Sequence, residues 1–144
     1  MTGFLGTRAS LSSDLSLIFT WLIAAAAVVG AINAHRERFS RHCPIMAAGA
    51  LLNWIPALVV MVPALVSVLT GGGNLAGTAP ITPLIGHGLL GGSTQLLMTY
   101  TVVRMYWLED LPPRQPLGLM RMTIILWMLS VLGGTTLYTL LYLL

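Results

Sequence analysis

The spacing of charge along this chain constrains its fold more than any motif does. Lysine is absent, and the seven arginines and four acidic residues leave residues 15–35, 42–103 and 122–144 without a single Arg, Asp or Glu. A helix needs about 20 residues to cross a ~30 Å hydrocarbon core, so the first and last stretches each hold one crossing and the middle one holds two joined by a turn. The expected fold is therefore all-α: an integral membrane, antiparallel four-helix bundle, with residues 1–144 forming a single transmembrane domain. Spans are expected at about 14–34, 44–69, 84–107 and 119–144. A mean hydropathy of +0.86 and only 8% charged residues agree with this, since a soluble domain carries roughly 25%.

Charge also sets the expected orientation. Arg8 alone precedes the first apolar stretch, whereas Arg36, Arg38 and Arg41 follow it, the reverse of a secretory signal, so the stretch reads as a retained span. His35, Arg36, Arg38, Arg41 and His42 make the first connection a basic surface, and the third holds Arg104, Arg114 and Arg121 beside Glu109 and Asp110. The glycine-rich connection 70–83 has no charge. By the positive-inside rule the two basic connections face the cytoplasm, giving an N-out/C-out topology. Pro44 and Pro83 suit the first positions of their helices, and Pro112, Pro113 and Pro116 stop the third span from running on. Tyr106 and Trp107 at one surface, and Tyr138 and Tyr142 at the other, fit interfacial aromatic belts. The net charge of +3 is too small and too localised for nucleic acid, and the lone Cys43 excludes an internal disulfide.

In lipid, helices associate by close backbone approach rather than by hydrophobic gain. Gly88-x-x-x-Gly92, Gly133 with Gly134, and Ala24 to Ala27 with Gly30 are the packing candidates. Pro56 and Pro63 free the carbonyls of Leu52 and Val59, which predicts a kinked second span or, functionally, a cavity or metal pathway beside those carbonyls.

Three histidines are the candidates for chemistry. His35 and His42 bracket the cytoplasmic connection, close enough to meet across a tight hairpin. His87, four residues past Pro83, is expected about 6 Å inside the outer surface and roughly 20 Å from the other two. That depth disfavours a haem held by two histidines. Met61, Thr20, Thr135 and Tyr138 share the expected level of His87, and His87 with Met61 offers donors for a soft ion such as Cu(I) or for a bound cofactor. The plainer reading has His87 hydrogen-bonded to a neighbouring carbonyl or hydroxyl. From His87, a stripe of Gly91, Thr94, Gln95, Met98 and Thr101 continues along one face, to be satisfied by Asn53, Ser130 or Thr135, or to line a quinone or pigment pocket. No catalytic triad, carboxylate pair, phosphate loop or zinc motif is present. All four acidic residues are expected outside the spans, which argues against proton transport through a buried carboxylate. The arginines of the first connection serve topology and anionic lipid, or dock a larger complex.

Four short stretches carry a family resemblance: His42-Cys43-Pro44-Ile45-Met46, the solitary His87, Leu119-Met120-Arg121-Met122-Thr123, and Trp127 with Ser130 and Gly133 through Tyr138. Together they resemble the small four-helix bacterial membrane family that includes YozB and CtaM, linked to maturation of haem-copper oxidases. Cys43 stands where that family's pattern has arginine, and no histidine occurs between Pro112 and Leu119. The resemblance implies residence in the bacterial inner (cytoplasmic) membrane. If the family's histidines handle copper or haem, the two departures point to a chain without that activity: a non-enzymatic accessory protein, as assembly factor or peripheral subunit of a respiratory or photosynthetic complex, with the cofactor left open between none, copper and haem. The alternative is a metal- or haem-handling redox membrane protein using His87 and Met61, with copper or haem as the group handled.

Overall fold

Four helices account for most of the computed structural model, in which residues 3–71, 81–107 and 115–143 are described, with backbone alone at 107 and 115–117. Helix α1 spans Leu11–His35. Ser10 caps it, its hydroxyl accepting from the Ser13 N–H at 3.2 Å, so the helix begins three residues before the expected start at Asp14. It ends where Glu37 takes the left-handed backbone conformation, φ 58°.

Helix α2, Phe39–Leu69, begins five residues ahead of Pro44 rather than at it. The connection therefore shrinks to Arg36-Glu37-Arg38, and Arg41 and His42 ride on the first turn of α2, their N–H groups donating to the Arg38 carbonyl. Further along, α2 is irregular. A turn at Asn53 precedes a π-helical segment, Ala57–Met61, in which the Val62 N–H reaches back five residues to Ala57. Pro56 and Pro63 flank that segment; each lacks an N–H and crowds the carbonyl four residues before it, and a wider turn between them relieves the crowding.

Helix α3 is Ile81–Trp107 and helix α4 is Gln115–Tyr142. Pro83 and Pro116 fall inside the first turns of these helices, not ahead of them. Residues 72–80 of the glycine-rich connection, Glu109, Asp110, Pro112, Pro113, Arg114 and the Trp107 side chain lie outside the described residues.

Three helical stretches, Leu11–His35, Phe39–Leu69 and Gly118–Tyr142, are long and apolar enough to cross a membrane. Helix α3 has the length, but its hydroxyls, glycines and Gln95 lower its hydropathy below theirs. Only 28%, 11% and 28% of the three most apolar windows is buried within the molecule, so most of their apolar surface faces outward. Leu22, Val29, Leu58, Val59, Leu89, Leu96 and Leu132 are among the large side chains left exposed.

Close approach brings α1 and α2 together. A side-chain carbon at Gly30 would sit 2.8 Å from Met46 Sδ, and Gly49 meets Ile23. The core gathers Ile23, Ala24, Ala27, Ala50, Met98, Trp127 and Val131 from all four helices. Beside it, polar side chains bind helix to helix. Asn53 Nδ2 donates to Gln95 Oε1 at 2.7 Å, and Gln95 Nε2 donates to the Ala50 carbonyl at 2.9 Å. Trp54 Nε1 donates to Thr99 Oγ1 and Trp21 Nε1 to Thr135 Oγ1, both at 3.1 Å. Of the expected packing glycines, Gly88 meets Leu65 at 3.2 Å, while Gly92 opens onto empty space and Gly91 meets Ser130 in its place.

Gln95 links the two helices twice, because it bonds two buried groups on α2 at once. Interhelical side-chain bonds in an apolar medium are worth roughly 0.6–2 kcal/mol each. Gln95→Leu is expected to destabilise the micelle-embedded protein by about 1–2 kcal/mol, seen as a lower midpoint in detergent-denaturation titrations. An unchanged midpoint would show that the amide pair does not hold α2 to α3.

Candidate functional site

The end of the molecule nearest the basic connection opens into a cavity of about 890 Å³ that all four helices line. This is a volume typical of small-molecule sites, which run from about 300 to 1,000 Å³. Its inner wall is the apolar core itself, through Ala50, Met98 and Trp127, which are 2%, 5% and 3% exposed. Met46, Met105 and Met120 join Met98, so half of the eight methionines of the chain face this one space. Thioether side chains are unbranched and adaptable, and they recur where one surface fits ligands of varied shape. Toward the mouth, Arg104, Arg121, His35 and His42 line the cavity, with Glu37 the one acidic residue among its described lining residues. Arg104 is steadied by Tyr100, one turn earlier, whose hydroxyl accepts from it at 3.3 Å and whose ring lies 5.9 Å from the guanidinium. His42 is anchored through Nδ1 to the Gly30 carbonyl of α1 at 2.9 Å. It shares the cavity lining with His35 across the tight connection.

Of the basic surface expected from sequence, Arg36, Arg38 and Arg41 are exposed, and His42 is half-buried. Met98 and Thr101 of the α3 stripe line the cavity beside them, but its opening at the basic end was not expected. Its signal lay in the placement of Met46, Met98, Met105 and Met120, each toward the charged end of its helix.

At the opposite end a carboxylate contradicts the sequence reading. Asp14 lies within α1, not outside it, and is fully buried at 0% exposure. The chain before α1 folds over it: the Leu5 N–H donates to Oδ2 at 2.9 Å and the Thr7 hydroxyl to Oδ1 at 3.3 Å. Tyr138 of α4 donates its hydroxyl to the same Oδ1, with the Thr7 oxygen 2.9 Å from it. Tyr138 is accordingly buried and turned inward, not set in an interfacial belt. Gly3 is required by this arrangement, since a side-chain carbon there would fall 2.6 Å from both Asp14 Oδ2 and the Ala9 carbonyl. Three donors, two local and one across to α4, account for the burial. A buried carboxylate needs such partners, because unpaired charge in a low dielectric is strongly disfavoured.

His87 sits on α3 with its ring against the bare backbone of α4. Side-chain carbons at Gly134 and Gly133 would stand 3.1 Å from Cε1 and 3.4 Å from Nδ1. Gly133 and Gly134 thus make room for an imidazole rather than for a helix backbone. His87 Nδ1 is buried without a hydrogen-bond partner, as are Thr20 Oγ1 and Asn53 Oδ1. Met61 is half-buried in the π segment, and the α2 side chain that meets the adjacent Gly88 is Leu65. Among the described residues no three His, Cys, Asp or Glu side chains gather as metal ligands. Thr94, Gln95 and Met98 of the expected stripe are buried, and Asn53 supplies the partner expected for Gln95.

Comparison with protein-family models, with curated proteins and with solved structures finds no match to the chain.

The Asp14 cluster ties the start of the chain to α4, and its weight is testable. Tyr138→Phe deletes one hydroxyl and leaves Asp14 a donor short, so a loss of about 1–3 kcal/mol of stability is expected. Limited proteolysis should then cut the segment before Leu11 faster than in the wild type. Equal cleavage rates would refute the tie.

Proposed function

We propose that the chain is a non-enzymatic accessory protein of the bacterial cytoplasmic membrane, an antiparallel four-helix bundle with both termini outside. It acts by lateral helix contact in the assembly, or as a peripheral subunit, of a respiratory complex of the haem-copper oxidase type or of a photosynthetic one. The observation that carries this reading is the sorting of polarity. Inside, polar side chains are spent on one another across helices; outside, large apolar side chains cover every helix. Such a surface is matched by lipid and by other membrane helices.

Helix α3 fits as the fourth span despite its composition. Its hydroxyls turn back on their own helix, Ser93 to Leu89, Thr94 to Leu90, Thr99 to Gln95 and Thr101 to Leu97, leaving Leu89 and Leu96 to face outward. The basic residues around His35 to His42 support a cytoplasmic position for that end, and the resemblance to the oxidase-maturation family supports the choice of complex.

A second reading is favoured by one feature. The buried Nδ1 of His87, unpaired among the described residues on a ring that Gly133 and Gly134 make room for, is a free donor atom, which suits a protein that handles copper or haem, with Met61 as a further donor.

Deletion of the gene is expected to reduce the haem-copper oxidase signal in reduced-minus-oxidised spectra of native membranes, with restoration by the wild type and also by His87→Ala. An oxidase signal unchanged by deletion would rule out the assembly role. Restoration failing only for His87→Ala, with stoichiometric metal or haem in the purified wild type, would establish the second reading instead. For orientation, cysteines placed at Arg38 and Thr70 in a Cys43→Ser background should be shielded from and open to an impermeant thiol probe, respectively; the reverse pattern would overturn it.

A further inference from the structure

We propose that the cavity at the basic end holds one anionic phospholipid, its phosphate against Arg104 and Arg121 and an acyl chain among Met46, Met98 and Trp127. The proposal rests on the membrane orientation given above and on no assumption about the partner complex. Three observations converge on this occupant. The lining is graded by burial: Ala50, Met98 and Trp127 are buried at its floor, whereas His35 and Arg121 are exposed and Arg104 and His42 half-buried. The charge is one-sided, since Arg104 and Arg121 face Glu37 alone among the described lining residues, and no ion pair engages either arginine among them. The position is at the helix ends that meet the basic connections, the level at which the proposed orientation puts the head groups of the cytoplasmic leaflet.

Each feature excludes a different competitor. A soluble phosphate makes no use of the apolar floor, and a neutral quinone, though its carbonyls can accept from guanidinium, leaves the arginine charge without a counter-ion. An amphipathic anion uses both, and basic pockets between helix ends on the cytoplasmic side are a recurrent mode of anionic head-group recognition. Methionines suit an acyl chain because both are unbranched and conformationally adaptable. The core residues Ala50 and Trp127 close the floor, and the Gln95 amide that binds the Ala50 carbonyl fixes the depth to which a chain can reach.

The full-length protein, purified in mild detergent, is to be examined by native mass spectrometry after exchange into nanodiscs of phosphatidylglycerol or phosphatidylcholine. One phosphatidylglycerol per chain is expected to survive detergent release, and phosphatidylcholine is not. Arg104→Gln/Arg121→Gln should weaken retention about 30-fold, from roughly one tenfold step and a half for two head-group cations. Ala47→Phe keeps both arginines and fills the lining at Ala47, and it should lower retention at least about tenfold by the same scale, so head-group charge and room for the chain are read separately. Circular dichroism of both variants reports the fold. Equal retention of phosphatidylcholine, displacement by millimolar inorganic phosphate alone, a stoichiometric haem absorbance, or wild-type retention in either variant would each overturn the proposal. Loss of the lipid would leave the oxidase phenotype of the deletion untouched, and an unaltered oxidase would leave lipid retention untouched, so the two readings fail independently.

Discussion

A helix in an apolar medium has no water with which to satisfy its polar groups, and the interior of this protein is organised around that constraint. The contact of Gln95 with Asn53 and the Ala50 carbonyl is its clearest expression. One side chain supplies a donor and an acceptor to two buried groups on α2, at a point where a turn and two prolines have loosened that helix. Trp54 on Thr99 and Trp21 on Thr135 extend the same arrangement to either side, each indole N–H finding a hydroxyl whose own proton is already committed to its helix. Polar atoms thus add cohesion where apolar side chains, facing lipid-like surroundings, would add little.

The two ends of the molecule answer the constraint in opposite ways. Around Asp14 the chain closes, folding residues 3–10 over the carboxylate and enlisting Tyr138, so that a charge-bearing group becomes a fastening between the first and last helices. At the other end the four helices line a cavity with four methionines, and Arg104 and Arg121 have no acidic counterpart among its described lining residues save Glu37. A carboxylate closed over by its donors at one end and a cavity lined by arginine at the other make the molecule asymmetric along its helices.

Glycine in α4 shows how a packing motif can serve a side chain instead of a backbone. Gly133 and Gly134 create a recess that the His87 ring occupies, and the residue on α3 that meets α4 more directly is Gly91, opposite Ser130. Spacing alone cannot distinguish these outcomes, because a small residue marks where something approaches closely and not what approaches. The same limit applies to Gly92, which shares the four-residue spacing with Gly88 yet faces open space.

The uncharged stretches between the arginines determined the helical class and nearly all of the helix positions, because crossing length and charge exclusion are local properties that a linear pattern records. They also marked His87, the Gln95 stripe and the basic end. Helix starts moved by several residues: Ser10 capped α1 early, and Pro44, Pro83 and Pro116 were absorbed into helices, since a proline in or near the first turns costs few or no intrahelical bonds. What tertiary structure alone decided was pairing. That Asp14 is buried under Tyr138, that His87 rests on glycine, and that four methionines share one cavity depend on how distant helices are rotated about their axes, and rotation is set by packing against neighbours. No stretch of sequence carries that information by itself.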